Sequence, residues 1–233
     1  MAISGPRDRR AKIEELVILQ KIALDPRLTR NVVQIVEAWE QYSCLYFVLE
    51  FCERGDLAEY LDRMEGGVEE IVIWGILGQV AQGLKQIHTL QIIHLDLKPS
   101  NIMISGNGLL KIGDFGCATM LPVPEDFERE GDRTYIAPEV MESTYGPECD
   151  VFSLGLIIFE ISTNVILPEN GNHWQKLRRH DFSEAIQTLQ RVSPPLVELI
   201  KGMLHPVAKE RFGLGRILGH PFVGPVLDGE PLF

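Results

Sequence analysis

Three residues whose types suit phosphate chemistry stand close together in the run HLDLKPSN, His94 to Asn101: Asp96, Lys98 and Asn101. A second carboxylate, Asp114, opens the tripeptide DFG, and APE follows at Ala137–Glu139. Phosphoryl transfer needs a group to position the attacking hydroxyl, a divalent metal to neutralise phosphate charge, and a cation near the moving phosphoryl. Two carboxylates, one amide oxygen and one ammonium supply that set. Oxygen ligands of this type suit magnesium, which keeps some water and shares phosphate oxygens. Taken singly, the same residues have plainer readings. His94 alone would be a packed core histidine and Asp114 a turn residue. Asp150 would be a helix N-cap, and Glu139 with Arg211 a structural ion pair. Cys117, just after DFG, reads as an inert small residue before it reads as a reactive thiol.

The elements that must position these residues follow from periodicity and turn chemistry. A helix is predicted over about residues 7–24, with an apolar stripe at Ile13, Leu16, Val17 and Leu19, stopped by Pro26. Its basic residues Arg7, Arg9, Arg10 and Lys12 read as a solvated face. Val32–Trp39 and Leu45–Phe51 are rich in β-branched and aromatic residues and flank a polar turn at Gln41–Ser43, which predicts a hairpin. Leu49 and Phe51 are expected in its core. A short helix near Leu57–Asp62 follows Gly55, then a long apolar helix over Ile71–Leu90. Short strands are predicted at Ile92–Ile93, Ile102–Ile104 and Leu109–Ile112, the last two joined by a turn at Gly106–Gly108. Asp96 and Asn101 then lie on a loop between two strands, and Asp114 begins the loop after the third. From Asp114 to Glu139 the chain reads as irregular, and a loop that long in a compact domain is functional or disordered. Beyond Pro147 it reads as helical, interrupted near Pro168–Gly171, Pro194–Pro195 and Pro206. The domain seam falls near Cys52–Gly55.

Composition narrows the class. The 33 acidic residues against 22 basic ones argue against a phosphate-backbone binder, so no nucleic-acid partner is expected. The four cysteines form no CxxC pair and read as reduced thiols rather than zinc ligands. The longest apolar stretch, Val151–Ile161, contains Glu160 and is too short to span a bilayer, so a buried helix and no membrane association are expected. The run Gly213–Gly219 lacks GxGxxG spacing and reads as turn glycines.

Taken in order, these motifs resemble those of protein kinases over nearly the whole chain. HLDLKPSN is similar to the kinase catalytic loop, DFG to its metal-binding motif, and APE to the motif that closes the activation segment. The resemblance implies Asp96 as catalytic base, Lys98 as a phosphate contact, and Asn101 and Asp114 as magnesium ligands. It also implies an ion pair between Glu139 and Arg211, and Asp150 as the aspartate that holds the catalytic loop together with His94. Glu15 matches the helix glutamate that pairs with an ATP-gripping lysine. Leu49, at the gatekeeper place, leads into a hinge where backbone groups of Glu50 and Cys52 would hold adenine and Asp56 would reach the ribose. ATP and Mg2+ are the implied cofactors. The fold class is α+β: an incomplete small β-containing N-lobe, residues 1–52, and a mainly helical C-lobe, residues 53–233.

Four segments narrow the family. Leu95 stands where kinases that read a phosphorylated activation loop carry arginine. EGDRTYIAPEV (Glu130–Val140), ILPENGNHWQKLR (Ile166–Arg178) and VVQIVEAWEQYSCLYFVLEFCERGDL (Val32–Leu57) resemble the Wee-type kinases. That family phosphorylates a tyrosine of cyclin-dependent kinases and delays mitosis. The resemblance implies a cyclin-dependent kinase as protein substrate, a monomer, and a location in nucleus and cytoplasm. Lys98 follows the serine/threonine-kinase pattern, so a serine/threonine kinase of another family is the alternative. Neither a glycine-rich loop nor a strand lysine stands before Glu15, so half the roof of the ATP site is expected to be missing. A non-catalytic interaction protein is the second alternative.

Overall fold

In the computed structural model, which describes residues 6–26, 30–64 and 66–227, the first element is helix α1, Pro6–Ala23. Glu15, Ile18, Leu19 and Ile22 form its buried face, the i, i+3, i+4, i+7 stripe of one helix side. Ile13 and Val17, expected on that stripe, are 36% and 42% exposed. They sit on an adjoining side, because α1 turns the Ile18–Ile22 face toward its neighbouring strands.

Strands β1, Ile35–Gln41, and β2, Cys44–Leu49, pair antiparallel with Trp39 opposite Tyr46. The two rings stack at 5.1 Å between centroids. Tyr42 and Ser43 both take left-handed backbone, φ 50° and 56°, the two-residue turn that matches strand twist. The first strand starts later than the sequence suggests because residues 31–33 bond elsewhere. Val33 N–H donates to Ile112 O at 2.9 Å, and Ile112 N–H to Asn31 O at 3.0 Å. Leu49 and Phe51 are not core: they are 39% and 79% exposed. Leu49 ends a two-stranded sheet and is only partly covered, and Phe51 lies beyond it, largely in solvent.

Helix α2, Leu57–Asp62, is capped by the Asp56 carboxylate, which accepts the Glu59 N–H at 2.9 Å. Helix α3, Glu70–Thr89, runs through the core and packs on helix α4, Pro147–Thr163. The buried Gln79 of α3 accepts the Leu110 N–H at 2.8 Å. Gly83 is required there, since a Cβ would stand 2.7 Å from the Asn31 carbonyl oxygen. Strands β3, Ile92–Ile93, β4, Ile102–Ile104, and β5, Leu110–Ile112, follow α3. β4 and β5 form the expected antiparallel pair. β3 pairs with β6, Thr119–Met120, inside the segment that reads as irregular in sequence. Two residues are too few to show a strand pattern, and their partner makes the strand.

The rest is helical: α5, Gly171–Arg178; α6, Ile186–Leu189; α7, Pro194–Met203; α8, Leu214–Leu218; and α9, Gly224–Leu227. Pro194 and Pro195 start α7 instead of interrupting a helix, because proline's missing N–H is harmless in the first turn. α4 is buried along nearly its whole length, as its apolar run predicts. The architecture is α+β, with small antiparallel pairs in front of a helical body. No helix among the described residues is long and apolar enough to cross a membrane.

Candidate active site

The loop from His94 to Asn101, between β3 and β4, is fixed from beneath by α4. Asp150 is fully buried, and its carboxylate accepts the backbone N–H groups of His94 and Leu95, each at 2.9 Å. His88, at the end of α3, meets the same carboxylate at 2.7 Å. Burial works to raise the Asp150 pKa, but the bonds from His88 and His94 outweigh it and hold the carboxyl below its usual range. Asp150 is not an N-cap: Gly146 caps α4, and Asp150 faces inward from its first turns. His94 is also fully buried. One ring nitrogen lies 2.9 Å from Gly113 O, and the other accepts the Asp96 N–H at 3.3 Å. The imidazole so joins the loop to the strand end before Asp114.

Asp96 stands at the centre of the loop. Asn101 donates through Nδ2 to Asp96 O and Oδ2, at 2.8 and 3.0 Å, which leaves the amide oxygen as the acceptor available to a ligand. Lys98 Nζ lies 3.1 Å from Asp96 Oδ2 and 3.7 Å from Asp132 Oδ2. Burial pulls the Lys98 pKa down, while its bond to Asp96 and the charges of Asp96, Asp132 and Asp114 outweigh that and raise it. Asp96 Oδ1 accepts the Asp132 N–H at 2.6 Å.

Asp114 is brought to this loop by backbone pairing, since Gly113 N–H donates to Asn101 O at 2.8 Å. Its side chain is exposed, and Oδ1 accepts the Gly116 N–H at 3.2 Å. Asp114 takes φ 55° and Leu95 φ 63°, sparsely populated conformations for residues with a Cβ. Glu15 is buried on the inner face of α1. Burial first, then the Asp114 charge, push its carboxyl up to about 7, against a smaller opposing effect of Lys12. Burial, then Asp96 and Asp114, push the Cys117 thiol up to about 11, which leaves it protonated and unreactive at neutral pH.

The segment after β2 runs past Glu50 and Cys52. The Glu50 N–H donates to Gln34 O at 2.8 Å, and its carboxylate pairs with Lys111 at 2.7 Å. Leu49 ends β2, Cys52 is half-buried, and Asp56 is committed to capping α2. Far from this segment, Arg211 grips Glu139 with both guanidinium ends, at 2.6 and 3.0 Å, and also bonds the carbonyls of Glu148 and His205.

Sequence reasoning missed several residues that complete the site. Gly131 and Asp132 touch the His94–Asn101 loop. Arg178 donates to the carbonyls of Arg133, Thr134 and Ile136, and the Trp174 indole N–H donates to Arg133 O at 2.7 Å. The EGDRTYIAPEV and HWQKLR runs both stand out in the sequence, but nothing in one dimension shows that Trp174 and Arg178 of the second bond residues 133–136 of the first.

A family model described as "Protein kinase domain" matches residues 4–223. The chain is 43% identical over 185 residues to the "Mitosis inhibitor protein kinase wee1" of Schizosaccharomyces pombe, covering 78% of this chain and 21% of that protein. It is 51% identical over 157 residues to the "Mitosis inhibitor protein kinase SWE1" of Candida albicans, covering 66% and 13%. It is 35% identical over 193 residues to a Drosophila melanogaster "Membrane-associated tyrosine- and threonine-specific cdc2-inhibitory kinase", covering 82% and 36%. The chain thus spans well under half the length of each of these relatives.

Proposed function

The chain belongs to the protein kinase domain family, and from that premise we propose that it is a Wee-type kinase that phosphorylates a tyrosine of a cyclin-dependent kinase and so restrains entry into mitosis. The observation that carries the phosphotransfer reading is the Asp96 carboxylate, held at once by Asn101, Lys98 and the Asp132 N–H. A carboxylate fixed in this way can orient the acceptor hydroxyl and take its proton. Lys98 supplies positive charge beside it for the moving phosphoryl group. The Asn101 amide oxygen and the exposed Asp114 carboxylate are the groups that would hold magnesium. No group of three His, Cys, Asp or Glu side chains among the described residues forms a metal cluster. The protein would therefore give the ion two ligands and leave the remainder to phosphate oxygens and water, as magnesium prefers. A bound magnesium ion would neutralise phosphate charge. The chain segment at Glu50 and Cys52 would hold adenine, and Asp56 the ribose if it gives up its cap.

In this reading residues 1–52 belong to the small lobe and 53–233 to the large one. The protein works as a monomer in nucleus and cytoplasm. The pairing of Lys98 with Asp96 favours a second reading, a serine/threonine kinase, because dedicated tyrosine kinases place other residues at that position.

One experiment separates them. The full chain is incubated with labelled ATP, magnesium and a cyclin-dependent kinase, with Asp96→Asn as control, and the product is hydrolysed for phosphoamino-acid analysis. Phosphotyrosine that disappears in the variant supports the Wee-type reading. Phosphoserine or phosphothreonine alone supports the second, and label that neither protein transfers would overturn both.

A further inference from the structure

Arg129 has a set of contacts that the chemistry above does not use. Its Nη1 donates to the carbonyls of Gly116 at 3.2 Å and Ala118 at 3.0 Å, and its Nη2 donates to the Glu14 carboxylate on α1. Arg10, one turn earlier on α1, donates to the same carboxylate at 3.2 Å and pairs with Asp126 at 2.5 Å. The Arg129 guanidinium lies 5.2 Å from the Phe127 ring centroid, and Phe127 meets Tyr145 edge-on at 5.1 Å. Residues 126–129 therefore clasp α1 to the backbone just beyond Asp114.

This clasp joins the parts whose relative placement matters. Glu14 adjoins Glu15, which is buried on the inner face of α1. Gly116 and Ala118 follow Asp114 directly. Arg129 itself precedes the corner, residues 130–132, that bonds Asp96. Asp114 holds a left-handed backbone, and such a conformation persists only where the surroundings over-determine it. A planar guanidinium suits the task because it can donate to two carbonyls and a carboxylate at once, which an ammonium on a flexible stem does poorly. The Arg129 side chain is only 19% exposed, so its bonds are less weakened by solvent than those of a surface pair.

We propose that Arg129 is a positioning residue for phosphotransfer: by tying α1 to the Gly116 and Ala118 carbonyls, it holds the Asp114 loop in register with Asp96. The proposal rests on the phosphotransferase reading above. It is tested in the full chain with Arg129→Gln, and with Arg129→Lys as the conservative variant. Two quantities are read: kcat and KM for magnesium–ATP, and amide hydrogen exchange without substrate.

Arg129→Gln is expected to lower kcat by roughly tenfold or more, the scale of a misplaced reacting group. Exchange should accelerate at residues 116–119 while α3 stays protected, and Arg129→Lys should recover part of both effects. Parental kcat together with parental exchange at 116–119 would overturn the proposal. So would a variant that melts earlier, exchanges faster throughout α1 and α3, and keeps its kcat per folded molecule, since that is only a structural ion pair. The exchange measurement needs no activity. A parent chain that transfers no phosphate would therefore sink the function reading, while the local exchange pattern would still decide whether Arg129 fixes the loop.

Discussion

Gly131 lies directly against Leu95: a Cβ at residue 131 would stand 2.1 Å from the Leu95 carbonyl oxygen and 2.9 Å from Asp96 Oδ1. No side chain fits between them, so the glycine of the EGD run is a packing requirement of the His94–Asn101 loop. The next residue supplies the N–H that bonds Asp96. Gly131→Ala is expected to push the corner away from the loop and break that bond. Overpacking of this kind costs about 1–3 kcal/mol of stability. Loss of the Asp96 contact should lower kcat on the order of tenfold or more. Steady-state kinetics beside a urea melt check both, and parental kcat in the alanine variant would remove the corner from the catalytic account.

Glu15 makes the stability of the chain depend on pH. Its carboxyl ionises around 4.5 when solvated and near 7 in the fold, because burial and then Asp114 disfavour the charge. Between those values the folded chain holds the proton more tightly than the unfolded chain. The stabilisation is thus complete below about pH 4.5 and is lost as pH rises through 7. The difference between 4.5 and about 7 corresponds to about 3–3.5 kcal/mol. Glu15→Gln removes the ionisation and should melt higher than the parent at pH 8, with the gap closing toward pH 5. Melting curves that run parallel across that range would show that Glu15 ionises normally.

Asp150 has the opposite sign. Its folded carboxyl stays ionised below its ordinary range, so its contribution is present above about pH 3.8 and disappears as pH falls through the depressed value. Asp150→Asn keeps the shape but replaces one acceptor oxygen with an N–H2 group facing the donors of His94 and Leu95. Leaving buried groups unpaired in this way costs on the order of 3 kcal/mol. Chemical denaturation at pH 7 should show that loss. A variant as stable as the parent would mean that the loop is held by other contacts.

Much of this site is legible in the residues themselves, and the reason is locality. Asp96, Lys98 and Asn101 share one short loop that leads into β4, and Asp114 follows β5, which pairs with β4, so neighbouring strands bring all four together. Helix α2 and the hairpin turn were readable because Asp56, Gly55 and the Gln41–Ser43 turn act within a few residues. What was not legible depends on partners distant in sequence. Which apolar residues of α1 face inward is settled by its packing on β1 and β6: Ile18, Leu19 and Ile22 are buried, while Ile13 and Val17 face outward. Strand β6 exists only through β3. Leu49 and Phe51 look like core by type, yet burial depends on what lies over them. The contacts of Arg178 and Arg129 run between segments that no periodicity connects.

Activity is expected not to require a phosphorylated activation segment, and the packing around residues 133–136 supplies a physical reason. Arg178 bonds the carbonyls of Arg133, Thr134 and Ile136 at 3.0 Å each, and Ser153 Oγ donates to Tyr135 O at 2.8 Å. All four carbonyls from 133 to 136 are therefore satisfied by side chains of α4 and α5, with no phosphate needed to order the segment. Leu95 is buried and apolar, and offers nothing to a phosphate. The Tyr135 hydroxyl donates to Glu160 at 2.6 Å, so a phosphate there would face a carboxylate. Phosphatase treatment, or Thr134→Ala with Tyr135→Phe, is expected to leave kcat within a few-fold of the parent, with about 1 kcal/mol of stability lost from the Tyr135 bond. Arg178→Lys should do far more harm, because a compact ammonium on a flexible stem cannot reproduce the planar fork whose separate nitrogens reach the three carbonyls. Kinase assays on dephosphorylated protein, confirmed by mass spectrometry, check this. If dephosphorylation silenced the parent, the strap formed by Arg178 and Trp174 would be insufficient by itself, and a phosphate would be the missing element.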